Sequence, residues 1–291
     1  MASNYTQHIL VLGDHSANTR CFAEQLLASA PTNDIRYTFV HPNAAQILLR
    51  LSGVDYLESA FEGQTFTDML KTSDGVICLK PIETGIGMAL LPQLEAAGIK
   101  RVVFCTREGN YHPPAERALL SIHQTVQALI KSNLDWTLLR PTTIFGSHDD
   151  PFADFAASLK KQKRKWLIVG QKTAKNFVQP LHEKDMAQAF IKAFPNATTF
   201  RQSYKISGYK PLRIGFVLEQ ICLIHHVRFK VLPVWGIHRM LPKWVYVARK
   251  SQPLKLRRLR RSIIATHEKA FRDFGFTPLA PPDFMKGKTN D

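Results

Sequence analysis

The sequence is short of the features that mark disulfide-built, membrane-spanning or metal-built chains. Its four cysteines, Cys21, Cys78, Cys105 and Cys222, are scattered and form no CxxC pair. That argues against a disulfide framework or a zinc site and suits a reducing compartment. No stretch approaches the roughly 18 apolar residues of a spanning helix. The first residues show no basic segment leading into an apolar one, so no signal peptide is expected. These absences predict a cytoplasmic chain, or one peripheral to a membrane. Internal repeats and low-complexity tracts are also missing. Acid is scarce in one region. Between residues 200 and 263, fifteen Lys and Arg stand against a single acid, Glu219.

What is present points to a globular protein. The chain has 291 residues, 45% hydrophobic and 21% charged. That length suits one large domain, or a sheet domain with a smaller cap, and can bury a substantial core. The formal net charge is +16, concentrated in the second half. Such a field favours an anionic partner: the phosphates of a nucleotide, an anionic membrane surface or nucleic acid. Nucleic acid is the weakest of these, because no recognised binding motif accompanies the charge.

The first half alternates short apolar runs with longer helical spacing. Residues 8–13, 37–40, 75–79, 101–105 and 136–139 read as strands. Residues 19–28, 45–51, 86–97 and 119–131 read as helices, the third stopped by Gly98. Continuous apolar strands separated by helices predict a parallel sheet covered on both faces. Right-handed crossovers then make an α/β, doubly wound Rossmann sheet over residues 1–146, with ligands expected at the carboxyl ends of its strands. Residues 147–291 change character. A charge run (160–165), a strand (166–169), a helix (183–194) and a further strand (204–208) precede a basic stretch interrupted by Pro233, Pro242 and Pro253. From residue 221 onward that stretch is expected to be helical. The second half is expected to return to the sheet and form a smaller, basic C-terminal cap.

Several phrases coincide, in order, with one family. They are Ile9-Leu10-Val11-Leu12-Gly13, Lys100-Arg101-Val102-Val103-Phe104, and Leu134-Asp135-Trp136-Thr137-Leu138-Leu139-Arg140-Pro141-Thr142 with Phe145-Gly146. Gln179-Pro180-Leu181-His182 with Asp185-Met186-Ala187, then residues 204–208 and Phe274-Gly275-Phe276-Thr277-Pro278, complete the series. The set resembles the extended or atypical short-chain dehydrogenase/reductases, in their NAD-dependent epimerase/dehydratase or NmrA-like branches. The resemblance implies a Rossmann domain, a dinucleotide (NADP or NAD) and often a nucleotide-sugar substrate.

Two of the family's motifs are degraded. Its phosphate loop, GxxGxxG, uses glycines for a tight turn and close approach to the pyrophosphate at a helix N-terminus. Here the three positions are Gly13, Ser16 and Thr19, with Arg20 next. One reading is a modified anion site, Ser16 capping the helix and Arg20 reaching a phosphate. The other is a structural turn that no longer binds a cofactor. The acid expected after the second strand is also missing. His41, with Arg36 nearby in sequence, would suit a 2′-phosphate and so NADP over NAD. Pro141, at the end of the 136–139 strand, completes the expected cofactor-binding set. Among short-chain dehydrogenases a Tyr-x-x-x-Lys pair on one helical face moves the proton. The matching positions hold Ala118 or Leu119 and Ile122 or His123, so the pair is missing in either register. Thr106, Tyr111 and His123 are the candidates for an improvised catalytic site, against a plain reading of each as strand-end, loop and surface residue. Asp185 reads as a structural cap, and Asp149-Asp150 as a solvated turn, so no metal is expected.

In the basic stretch, Arg257, Arg258, Arg260 and Arg261 are spaced by leucines. They are candidates to pack solvated, to clamp a nucleotide-sugar diphosphate, or to rest on anionic lipid. The sequence thus supports three readings: an NAD(P)-binding protein without standard dehydrogenase chemistry, in a sensor, regulatory or scaffold role; a nucleotide-sugar epimerase, dehydratase or reductase with a non-standard site; or a peripheral membrane or assembly protein that keeps only the fold.

Overall fold

The apolar runs form the centre of the molecule. A computed structural model describes residues 7–13, 17–29, 35–42, 54–106, 116–145, 152, 166–224, 226–232, 245–247 and 262–280. Strands β1 (Gln7–Leu12), β2 (Ile35–His41), β3 (Asp55–Glu58), β4 (Gly75–Cys78), β5 (Arg101–Cys105) and β6 (Asp135–Pro141) lie in one parallel sheet. The short strands β7 (Ile144–Phe145), β8 (Trp166–Gly170), β9 (Phe177–Val178) and β10 (Leu181–His182) leave that sheet, and β11 (Gln202–Ile206) returns to pair with β6. The order is β3-β2-β1-β4-β5-β6-β11. The expected doubly wound topology is present, with its direction of build reversing between β1 and β4.

Alternation along the strands divides the core. Ile9 and Val11 face one side with Phe39, Val103 and Tyr204; Leu10 and Leu12 face the other with Val76 and Phe104. α1 (Ala17–Ala28) covers the first side. α2 (Gln64–Lys71), α3 (Ile86–Ala96) and α4 (Glu116–Lys131) cover the second. Gly98 follows α3 at φ 77°, a left-handed turn that costs glycine no Cβ clash and ends the helix where expected. After the single turn α5 (Gln171–Ala174), α6 (Glu183–Ala193) packs beside α1. α7 (Ile214–Ile224) builds a smaller core with Phe145, Val169 and Val178, and α8 (Glu268–Phe274) closes the first side of the sheet through Ala270 and Phe274.

The small layer departs from one expectation. The chain is not helical throughout from residue 221. α7 ends at Ile224, His226 takes φ 54°, and β13 (Arg228–Leu232) and β14 (Val245–Val247) flank β8 in parallel. Arg228-Phe229-Lys230-Val231 alternates polar and apolar residues with period two, which suits a strand. The expected helix at residues 45–51 and the charge run at 160–165 lie outside the described residues.

The amino edge of the sheet is held by a buried charge. Arg101 opens β5, and its side chain is enclosed beneath the carboxyl end of α6. Nε donates to Phe194 O (2.7 Å), Nη2 to Ala193 O (2.7 Å) and Thr199 Oγ1 (2.9 Å), and Nη1 to Asp135 O (2.6 Å) and Thr137 Oγ1 (2.9 Å). The guanidinium also stacks over Phe200, 4.6 Å from the ring centre. Burial pulls its pKa down to about 10, opposed by Asp135 and Tyr204, so it stays charged at neutral pH. A cation at a helix carboxyl end meets carbonyls that have no partner inside the helix.

Candidate functional site

Ligands of doubly wound sheets bind where the build direction reverses, outside the carboxyl ends of the strands. Here that point lies between Gly13, which follows β1, and Leu79, which follows β4. Gly13 N–H donates to Val40 O (3.3 Å) and Leu79 N–H to Leu12 O (2.9 Å), so three strand ends are tied together around it.

Gly13 and Thr19 are a packed pair. A Cβ on Gly13 would stand 2.6 Å from Thr19 Cγ2 and 2.9 Å from its Oγ1. The β-branched residue at the third glycine position is therefore accommodated by the glycine at the first. Ser16 lies outside the described residues. Arg20 is exposed and bonds Glu24 one turn on (2.7 Å), so in this state it faces its own helix.

The proposed 2′-phosphate pair does not assemble. His41 ends β2 at the carboxyl edge and is buried. Arg36 sits five residues earlier, at the amino edge, about 16 Å of extended strand away. It is paired with Asp55 at 2.7 Å. Closeness in sequence along a strand translates into separation across the sheet.

The catalytic candidates also fall apart. Thr106 follows β5, is fully enclosed, and donates its backbone N–H to Leu139 O (3.0 Å). It lines a cavity of about 20 Å³ with Phe22, Leu79, Pro81, Cys105 and Glu183, roofed by Met186 and Phe190 of α6. His123 is exposed on α4, which covers the opposite side of the sheet. The structure does not bring Thr106 and His123 to one point. Tyr111 lies outside the described residues, as do Arg257, Arg258, Arg260 and Arg261. Ile122, the other lysine-equivalent position, is buried in the core. The α4 residue that reaches the strand ends is Ser121, whose hydroxyl donates to Ile82 O at 3.1 Å.

Pro141 is buried at the end of β6, opposite Ile206 of β11. The following residues form a polar knot. Thr142 Oγ1 donates to Gln179 O (2.6 Å), and Gln179 Nε2 donates to Gly208 O (2.7 Å) and Ser207 Oγ (3.1 Å). Ser207 Oγ also meets His267 Nδ1 at 2.8 Å, and Ala265 N–H donates to Gln179 Oε1 at 3.1 Å. Burial lowers the His267 pKa. The Ser–His pair is structural, since Ser207 is enclosed.

Asp185 is a cap. Its Oδ2 accepts from His182 N–H (3.3 Å) and its Oδ1 from Leu279 N–H (3.0 Å), while His182 Nδ1 accepts from Lys184 N–H (3.0 Å). Burial raises its pKa to about 6 against those two backbone bonds. Burial likewise pushes the Cys21 thiol up to about 12, helped by Glu183 and Glu24, so that cysteine is no thiolate nucleophile.

Leu79, Pro81 and Glu183 were not singled out in the sequence. The first two follow the strand that neighbours β1, a placement that strand order alone would have flagged. Glu183 arrives from more than a hundred residues away, and no local pattern announces it. Among the described residues, no group of three or more His, Cys, Asp or Glu is placed to hold a metal ion. None of their helices is long and apolar enough to cross a membrane.

No protein-family model matches the sequence, and no curated protein matches it. Solved structures do. The dTDP-glucose 4,6-dehydratase of Bacillus anthracis, in complex with NAD, is 14% identical, with a TM-score of 0.67 over 94% of this chain and 92% of that one. A short-chain dehydrogenase/reductase superfamily protein of Agrobacterium tumefaciens with bound NAD is 13% identical, with a TM-score of 0.66 over 97% and 95%. The enzyme WbmF of Bordetella bronchiseptica, in complex with NADH, is 14% identical, with a TM-score of 0.62 over 98% and 92%. Over nearly its whole length, this chain has the Rossmann fold of the short-chain dehydrogenase/reductases and NAD-dependent epimerase/dehydratases.

Proposed function

We propose that the protein binds a nicotinamide dinucleotide along the carboxyl ends of β1, β4 and β5, and acts through that binding, as a sensor, regulator or scaffold, without tyrosine-dependent hydride chemistry. The observation that carries this reading is the turn at Gly13. Its close fit with Thr19 keeps the start of α1 against the end of β1 at the reversal point, where a helix N-terminus favours a pyrophosphate. The similar structures from B. anthracis, A. tumefaciens and B. bronchiseptica hold NAD or NADH.

The residues fit such a group in part. The cavity beside Thr106 has room for about one water, so the nicotinamide would lie outside it, along the strand ends. Pro81 and Ile144 are apolar members of the cavity wall behind it, and Thr106 and Glu183 its polar members. When bound, the dinucleotide supplies a hydride donor or acceptor. The chain sets no Tyr–Lys pair beside it, because α4 presents Leu119 and His123 to solvent and Ile122 to the core. We place NADP ahead of NAD. No acid occurs between β2 and Asp55 to accept from the adenosine ribose, although Arg36 no longer supports that choice.

Calorimetry with NADPH and NADH tests the reading on wild type and Gly13→Val, with melting curves to show that the variant is folded. Binding on the order of micromolar, lost in a folded variant, is expected. No heat with either dinucleotide overturns it. Turnover of a nucleotide sugar by the wild type would replace the binding role with an enzymatic one.

A further inference from the structure

The small layer carries a surface that the dinucleotide reading does not use. At its edge β9 pairs antiparallel with β12 (Leu212–Arg213), which sets Phe177 opposite Arg213. The guanidinium lies 6.0 Å from the ring centre. The chain at Ser262 and Ile263 runs beside them. Ser262 Oγ accepts from Phe177 N–H (3.0 Å), and Ile263 N–H donates to Phe177 O (2.9 Å). α7 departs from the same edge, with Ile214 N–H donating to Asn176 O at 2.8 Å. Residues 175–177, 209–216 and 262–264 are thus gathered into one margin of the fold.

That margin mixes two kinds of exposed side chain. Phe177 is 37% exposed, Phe216 46%, and Tyr209 and Ile264 each 56%. Lys175, Lys210 and Arg213 are exposed among them. The nearest acid in sequence is Glu219, one turn beyond Phe216 on α7. Ser262 also follows directly on the cationic sequence of residues 255–261. Exposed apolar groups interspersed with cations match an anionic lipid surface. Phosphates and carboxylates of the headgroups meet the cations, while the rings and the isoleucine enter the acyl boundary. A phosphodiester backbone would use the cations and leave Ile264 in water.

We propose that the β9–β12 margin, with Phe177, Tyr209, Phe216 and Ile264 among Lys175, Lys210 and Arg213, docks the protein onto an anionic lipid bilayer. The test is co-sedimentation of the full chain with vesicles of phosphatidylcholine, and with vesicles in which about 30% is replaced by phosphatidylserine. Binding is expected to the second kind only, and to weaken as salt rises toward about 0.5 M. The double variant Phe216→Ser/Ile264→Ser removes exposed groups, keeps the fold, and is expected to weaken binding about tenfold. Arg213→Glu is expected to do the same. Absence of binding at low salt overturns the proposal. So does binding that the double variant leaves unchanged, or that duplex DNA at equal charge concentration abolishes while itself retaining the protein; the last outcome makes the margin a nucleic-acid surface.

Discussion

At the amino edge of the sheet Arg101 donates from all three of its nitrogens to enclosed oxygens, whereas at the carboxyl edge Thr106 and Glu183 border a cavity. Both regions bury polar groups. The first spends its hydrogen bonds on joining β5, β6 and the end of α6, and so removes the freedom of those elements. The second sets polar groups around a small space at the carboxyl ends of the strands. Buried charge serves stability only when every donor is met, and polar groups left beside a space are what a ligand meets.

Removing the Arg101 clamp should produce the largest effect. Arg101→Met removes the guanidinium donors from Phe194 O and Asp135 O and leaves Ala193 O to Thr199 Oγ1 alone among side chains, and the expected loss is about 3–5 kcal/mol in urea unfolding. Arg101→Lys should recover less than half of it, because an ammonium cannot span the same acceptors. A loss under about 1 kcal/mol would erase the contrast between the two edges.

Next comes the coupling at the other edge. Gly13→Ala forces a methyl group onto Thr19 and should cost about 1–3 kcal/mol. Combined with Thr19→Gly, the cost should shrink by about 1 kcal/mol or more in a double-mutant cycle. Additive costs would mean that Thr19 does not fill the glycine's space.

Asp185 sharpens the comparison by pH. Because its folded pKa lies near 6 and its unfolded value near 3.8, the folded chain keeps a proton that the unfolded chain has released. The contribution is fully present below pH 3.8 and is lost as pH rises through about 6. Asp185→Asn should flatten that part of the stability profile while keeping one acceptor for Leu279. An unchanged slope between those limits would show that another group titrates there. The smallest effect belongs to Arg20. Its exposed pair with Glu24 predicts that Arg20→Ala changes unfolding stability by less than about 0.5 kcal/mol. If NADPH affinity nevertheless falls in this variant, Arg20 turns away from Glu24 to meet the ligand.

Much of the fold was legible because buried parallel strands are continuous apolar runs. Residues 75–79 and 101–105 could hardly be read otherwise. β3, with Asp55-Tyr56-Leu57-Glu58 mostly exposed on a sheet edge, carries no such signal. α2 escaped because it is only eight residues long, although Phe66, Met69 and Leu70 stand at helical spacing. Arg101 reads as the polar start of a strand, since its acceptors lie 92 and 93 residues away. At the candidate site the local motif marked out Gly13 and Thr19, which do pack together. The reading failed at Arg36 and His123, whose strand position and helix face were not worked out from the sequence. Leu79, Pro81 and Glu183 become neighbours of Thr106 only through topology.

The return of β11 also bears on how the chain is made. Until residues 202–206 leave the ribosome, β6 presents an open edge, and the first side of the sheet still lacks α8. A nascent chain released or stalled before that point would expose backbone donors beside apolar strands. Synthesis therefore passes through a stretch in which most of the parallel sheet is present but unsealed, and there a holding chaperone would have most to do.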